Sequence, residues 1–401
     1  MSGFSKIKLG EAVTFQRGFD ITKAEQTPGE VPIVSSSGVS STHNKSKVTG
    51  PGVIIGRKGT LGTVHFIRQD YWPHDTTLWV KDFKGNNPQF IAYFVRTLKL
   101  ETFDTGSSNP TLNRNHLHKI NVIFPKEPKT QRKIAAILTA YDDLIDTNKR
   151  RIALLENMAE EIYREWFVRM RFPGHQNTKL AKGLPEGWEA QPISGFAAFK
   201  YGYTESAIID NALPKFLRIT DINKSSFVNW STVPNCPISD TDYNKLQLRK
   251  HDILIARMAD PGRVAIVESD VRAVFASYLI KIHYDKLLVK PYFLFYTLSM
   301  GAFLDYFRGA NSGATRGSIN ASLIGKTKIV VPLYSVQSQF EELVIPIREQ
   351  LLKLLIVNQN ITDTRDLLLP RLISGKISVA DLDIQFPPSM CEGAKGQGPI
   401  S

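Results

Sequence analysis

The chain has 401 residues, 42% of them hydrophobic, and 50 Lys and Arg against 38 Asp and Glu, a formal charge of +12. That size suits two medium domains with separate cores better than one compact core, and the surplus of cations favours a polyanionic partner. The only two cysteines, Cys236 and Cys391, lie far apart, which excludes a disulfide framework or a Cys-based zinc site and fits a reducing cytoplasm. The start has no apolar segment and no stretch reaches about 18 apolar residues, so neither secretion nor a membrane span is expected.

In chain order, LGEAVTFQRG ending at Gly18 reads as a helix followed by a strand. The Ser-rich stretch Ser35 to Lys47 reads as a loop, and Ser36, His43, Lys45 and Lys47 are its candidates for contact with a polyanion. GVIIGRKGTLGTVHFI, Gly52 to Ile67, predicts a β-hairpin whose turn carries Arg57, Lys58 and Thr60. PQFIAYFV from Pro88 predicts a short amphipathic helix, and the segment ending NHLHKINVIFP at Pro125 a loop and strand. A long helix follows over 129–172, where Ile134, Tyr141, Asn148, Leu155 and Ile162 recur every seven residues with Leu138, Ile145, Ile152, Ala159 and Trp166 four behind them. Pro173, Gly174, Gly183 and Pro185 make 173–186 a linker.

The chain then repeats itself. ISGFAAFKYG ending at Gly202 matches the first segment, and DILIARMADPGRVAIV, Asp252 to Val267, aligns without a gap on the first hairpin, pairing Arg57 with Arg257 and Gly62 with Gly262. PYFLFYTL from Pro291 matches the short helix, and the segment ending NASLIGKTKIVVP at Pro332 matches the loop and strand. The second heptad series comprises Phe340, Ile347, Leu354, Ile361 and Leu368 with Val344, Leu351, Asn358, Arg365 and Leu372, over a helix at 336–376, and each member lies 206 residues after its counterpart (340 − 134 = 206). A shared phase of this kind predicts that the helices pack on one another, with Leu138, Tyr141, Ile145, Asn148, Ile152, Leu155, Ile347, Leu351, Leu354, Asn358 and Ile361 at the helix interface. Pro346 should kink the second helix or delay its start. The globular segments are 1–128 and 187–335, and the tail 377–401 ends in a Gly, Pro and Ser run expected to be disordered.

A reader of DNA needs cations for phosphates and short polar or Arg side chains for base edges, on loops stiffened by strands. In the second copy Arg218, Thr220, Asn223, Arg257, Arg263 and Arg316 meet that description. The copies differ most around the Ser-rich loop, and loops on a shared scaffold are where differences in binding reside. Catalytic signatures are absent: NASLIGKT lacks the leading Gly of a phosphate loop, Asn109-Pro110-Thr111-Leu112 lacks the second Pro and the aromatic of an amino-methyltransferase motif, and the histidines show no metal spacing. The aromatic set Phe293, Phe295, Tyr296, Phe303, Tyr306 and Phe307 has helical spacing and is expected in the core.

SNPTLNRNHLHKINVIFP and TRGSINASLIGKTKIVVP, each followed by a Gln (Gln131, Gln337) and a long helix, together with RDLLLPRLISGKI near the end, resemble the specificity subunits of type I restriction-modification systems. The resemblance covers almost the whole chain. It implies an α+β fold: two pseudo-symmetric globular α/β target-recognition domains separated by two long antiparallel coiled-coil helices. It also implies a cytoplasmic, non-catalytic subunit that binds double-stranded DNA at a bipartite site, holds two methyltransferase subunits that use S-adenosylmethionine, and is joined by restriction and translocase subunits. No metal, cofactor or membrane is expected for the chain itself. The competing expectations are a coiled-coil adaptor without DNA readout, and a single-chain DNA methyltransferase or nuclease.

Overall fold

The computed structural model describes residues 3–103, 111–222, 225–300, 303 and 319–390. They form two compact units, 1–149 with 357–401 and 150–356. The first unit opens with β1 (Phe4–Lys8), the one-turn helix α1 (Leu9–Ala12) and β2 (Thr14–Arg17). It continues with β3 (Val31–Ser35), β4 (Gly38–His43), β5 (Gly52–Gly56), β6 (Val64–Ile67), β7 (Trp72–Pro73) and β8 (Thr77–Asp82), then α2 (Pro88–Arg96), α3 (Arg114–Lys119) and β9 (Asn121–Pro125). A four-stranded sheet runs β2-β8-β5-β6, a smaller sheet β4-β3-β7, and β1 pairs antiparallel with β9. Every residue of β5 is buried, which is why its sequence is an apolar run rather than an alternation. Helix α2 is started by Pro88 at its first turn and by the Asn87 side chain, which accepts from Phe90 N–H, and it buries Phe90 to Val95.

The second unit repeats this plan. After the short β10 (Leu180–Ala181) and β11 (Leu184–Pro185) come β12 (Glu189–Pro192), β13 (Ala197–Tyr201), β14 (Lys215–Leu217), α5 (Asp240–Leu246), β15 (Ile253–Ala256), β16 (Val264–Ile266), β17 (Ala273–Phe275), β18 (Leu279–Tyr284), α6 (Pro291–Ser299), α7 (Ala321–Lys326) and β19 (Lys328–Val331). Its main sheet runs β13-β18-β15-β16, and β12 pairs with β19. Substituting each strand by its repeat counterpart reproduces the order of the first unit. Smaller details repeat as well: Leu112 N–H donates to the Arg57 carbonyl (3.0 Å) as Ile319 N–H does to that of Arg257 (2.9 Å). The Asn113 and Asn320 side chains cap α3 and α7. A Cβ on Gly18 would lie 2.0 Å from the His74 carbonyl oxygen, and one on Gly202 2.3 Å from that of Phe275, so both copies need glycine where the second strand ends. The aromatic residues Phe293, Phe295, Tyr296 and Phe303 are buried in the second unit's core, as expected; Tyr306 and Phe307 lie outside the described residues.

Two long helices begin where the globular parts end. The first, α4 (Pro128–Tyr163), closes with a π-turn at Arg164–Val168, and the second, α8, spans Tyr334–Ile373. Each starts in one unit and finishes in the other. In both, a buried glutamine fixes the first turn. The Gln131 carboxamide accepts from Asn87 N–H and donates to Asn86 Oδ1 and the Pro125 carbonyl, and Gln337 accepts from Lys290 N–H and donates to the Leu288 and Pro332 carbonyls. The start of each helix is thereby tied to the end of a strand and to the start of α2 or α6.

The heptad residues occupy the buried side. Leu138, Ile145, Asn148, Ile152 and Leu351 are buried, and Tyr141, Leu155, Ile347, Leu354, Asn358 and Ile361 half-buried. Within the first unit the helices run antiparallel: Asn148 Nδ2 donates to Asn358 Oδ1 (2.9 Å), Asn358 Nδ2 to the Ile145 carbonyl (3.4 Å), and Arg365 Nη1 to Asp142 Oδ1 (2.5 Å). Within the second unit Tyr163 and Trp166 meet Phe340, again in antiparallel sense. Of the two expectations for Pro346, a kink or a delayed start, the delayed start is corrected, since α8 runs through Pro346. Pro346 and Glu342, whose carbonyl loses its partner, are both exposed, so water replaces the missing bond.

Asn148→Ala should leave the Asn358 amide without its partner and lower stability by about 1–3 kcal/mol, whereas Asn148→Leu with Asn358→Leu should recover most of the loss. Thermal unfolding of the three proteins checks this; a double variant no more stable than the single one contradicts it.

Candidate nucleic-acid interface

In the first unit the turns that carry candidate residues are drawn to one edge by hydrogen bonds. Thr63 Oγ1 donates to the Ser36 carbonyl (2.6 Å), His65 Nε2 lies 3.1 Å from the same oxygen, and Ser36 N–H donates to Thr76 Oγ1 (3.4 Å). The turn between β3 and β4 is thus stitched to the turn between β5 and β6, bringing Ser36 beside Arg57, Lys58 and Thr60. Lys58 and Thr60 are exposed and Ser36 is buried. Arg57 N–H and Lys58 N–H both donate to the Thr76 carbonyl, and Gly62, with φ +74°, turns the chain back. Arg57 is half-buried and its Nη1 reaches the Asp75 carbonyl at 3.4 Å. Burial lowers its pKa, the nearby Arg17 charge adds to the lowering, and Asp75 opposes it.

Arg17 was not among the residues singled out from the sequence, although it precedes the repeated Gly18. Its guanidinium pairs with Asp75 Oδ2 at 2.8 Å. The corresponding residue of the second copy is Tyr201, and the Arg257 guanidinium stacks over that ring at 5.1 Å. Arg257 Nε is buried and has no acceptor among the described residues.

Other candidates are held differently from expectation. The stretch Ser35 to Lys47 is mostly the β3–β4 hairpin rather than a loop. His43 is 6% exposed, accepts from Thr27 N–H through Nδ1 and meets Trp72 edge-on, so it belongs to the hairpin's interior and not to its solvent face. Lys45 is exposed. Lys47 is exposed too, with its ammonium 4.9 Å from the Trp72 ring. Arg218 is claimed by Asp221 through a two-pronged bond, Nε to Oδ2 and Nη2 to Oδ1, each 3.0 Å, which raises its pKa. Thr220 beside it is exposed. Arg263 Nε donates to the Ile222 carbonyl (3.3 Å), and its side chain lines a cavity of about 260 Å³ with Glu156, Glu160 and Ser226. Burial raises the Glu160 pKa, against the pull of Arg164. Asn223 and Arg316 lie outside the described residues.

Among the described residues one group, Asp20, His74 and Asp75, brings ligand atoms within 4.8 Å of one another. The Arg17 guanidinium already occupies Asp75, so the charge that would hold a cation is neutralised. No helix among the described residues is long and apolar enough to cross a membrane.

Residues 1–157 match the family model for the type I restriction modification DNA specificity domain. The MjaIX specificity subunit of a type I restriction enzyme from Methanocaldococcus jannaschii is 26% identical over 311 residues, 73% of this chain and 70% of its own length. The HindI specificity subunit of Haemophilus influenzae is 22% identical over 339 residues, 67% of this chain and 71% of its own. The fold matches the crystal structure of a type I restriction-modification S subunit from M. genitalium with a TM-score of 0.58 at 13% identity, covering 92% of this chain and 96% of that one. Neither the adaptor reading nor the single-chain enzyme reading finds support among these relatives. Residues 1–157 carry the type I restriction modification DNA specificity domain, and over most of its length the chain is similar to specificity subunits of type I restriction enzymes.

Proposed function

We propose that this chain is the sequence-reading, non-catalytic subunit of a type I restriction-modification complex, and that each globular part reads one half of a bipartite DNA site. The observation that carries the reading is one framework bearing two chemistries: the same hairpin turn holds Arg57 with Arg17 and Asp75 in one copy, and Arg257 over Tyr201 in the other. A guanidinium offers a bidentate donor pair to guanine and a charge to phosphate, and a different neighbour aims each at a different target. Ser36, His43, Lys45, Lys47, Lys58 and Thr60 in the first copy and Arg218, Thr220, Asn223, Arg263 and Arg316 in the second are proposed around those turns, with His43 shaping its hairpin from within.

The two helices serve as spacer. The 36 residues of α4 and 40 of α8 correspond to roughly 54 and 60 Å at about 1.5 Å per residue, about one and a half turns of B-DNA. Their outer faces expose Leu144, Leu154, Met158, Leu343, Ile356 and Leu367, which suit docking of two methyltransferase subunits. Those partners would supply S-adenosylmethionine chemistry and base flipping, and restriction subunits would join them.

In the complex reconstituted with its methyltransferase subunits, Arg57→Ala should weaken binding by about 1–3 kcal/mol when one half-site is intact and make no difference when that half-site is scrambled. Equal loss on every duplex would reduce Arg57 to a phosphate contact. Removing four residues near Asn148 together with four near Leu354 should shorten the preferred gap by about one or two base pairs, because about 6 Å of helix is lost against about 3.4 Å per step. An unchanged gap in a folded double deletion refutes the spacer role.

A further inference from the structure

Arg348 of α8 has no solvent exposure, whereas the other lysines and arginines among the described residues of its unit are at least partly exposed. Its Nε and Nη2 grip the two oxygens of Glu268 at 2.8 and 2.6 Å, and Tyr292 Oη donates to the same carboxylate at 3.1 Å. Two further hydrogens go to Ser226: Nη1 to Oγ at 2.7 Å and Nη2 to the carbonyl at 3.0 Å. Ser226 in turn donates from Oγ (2.5 Å) and N–H (3.2 Å) to Glu156 of α4. One guanidinium thus anchors two chain segments. Ser226 lies just past the turn that carries Arg218 and Thr220, Glu268 just past the strand that starts after Arg263, and Arg263 itself bonds the Ile222 carbonyl between them.

The first copy does not have this arrangement. The residue aligned with Arg348 is Asp142 (348 − 206 = 142), which accepts from Tyr93 Oη (2.6 Å) and from Arg365 of α8. Its partners are helical and hold no turn of the recognition face. A buried, extensively bonded network fixes the groups it touches more tightly than surface bonds do, and precise readout depends on that outer support.

Resting on the proposed reading of DNA, we infer that Arg348 is a positioning residue for the second recognition domain: through Ser226 and Glu268 it sets the 218–222 turn against the 257–263 turn, and so governs discrimination at one half-site only. The cavity beside Ser226 leaves room for a methyl group, which provides a conservative control.

The test uses the complex reconstituted with its methyltransferase subunits and duplexes carrying its own target intact or with either half scrambled. Removing Arg348 outright would strand a buried carboxylate and endanger the fold. Ser226→Ala is therefore the primary variant, since it deletes the hydroxyl between Arg348 and Glu156 and spares the Arg348–Glu268 pair. It should stay cooperatively folded at the assay temperature, somewhat less stable because Arg348 Nη1 loses an acceptor, and lower the intact-over-scrambled affinity ratio about fivefold at one half-site, roughly one hydrogen bond's worth, with the other half-site unchanged. Ser226→Thr should restore the ratio, and Arg348→Lys, which loses the fork, should lower it at least as far at the same half-site. Ratios unchanged at both half-sites, or lowered equally at both, overturn the inference while leaving the reading of DNA intact. A wild-type complex blind to both half-sites overturns that reading and the inference with it.

Discussion

Two buried carboxamides decide whether a long helix can act as a rigid extension of the domain before it. At Gln131 and Gln337 the carboxamide makes three hydrogen bonds, one accepted and both N–H donated, and the partners are the end of a strand and the approach to a short helix. A helix joined only through its backbone would pivot about Pro125 or Pro332. Bonded in this way it cannot turn without leaving buried polar groups unmet, at a cost of about 1–3 kcal/mol for each. The spacing of two readers is a property of helices only where each reader is fixed to its helix, so the spacer proposal leans on these two residues first.

Much of the fold was legible in the sequence because it is periodic. The repeat, the hairpin with its paired arginines, the short helix after Pro88 and Pro291, and the heptad residues that prove buried all follow from spacing, and spacing survives divergence. The parts that were not legible depend on contacts distant in sequence. Ser-rich β4 looked like a loop because nothing local shows that β3 and Trp72 will flank His43. Asp221 sits three residues from Arg218, a spacing at which sequence cannot tell a capture from a coincidence. That α8 starts before Pro346 was not legible because the exposure of Pro346, which lets water take up the orphaned carbonyl, is a tertiary fact. The glutamines stood in the motif that suggested the family, but only their bonds show why that position calls for a carboxamide.

Similar frameworks carry unlike electrostatics. At one heptad position the first copy has Asp142, bonded to α2 and α8, and the second has Arg348, bonded to the recognition domain's own turns. At the hairpin, Arg57 has a carboxylate and a second arginine beside it where Arg257 has a tyrosine ring. A duplicated scaffold kept for its packing can diverge in this way because loops and single buried pairs change what is recognised without altering the strand order that presents them.

The central claim, that two unlike readers act at a fixed separation, is tested most directly by sequencing the methylome of a host that carries this subunit with its methyltransferase partners. The account predicts methylation at a single motif made of two different short sequences separated by a constant number of unspecified base pairs. A contiguous motif, two identical halves, or a gap of variable length would contradict it.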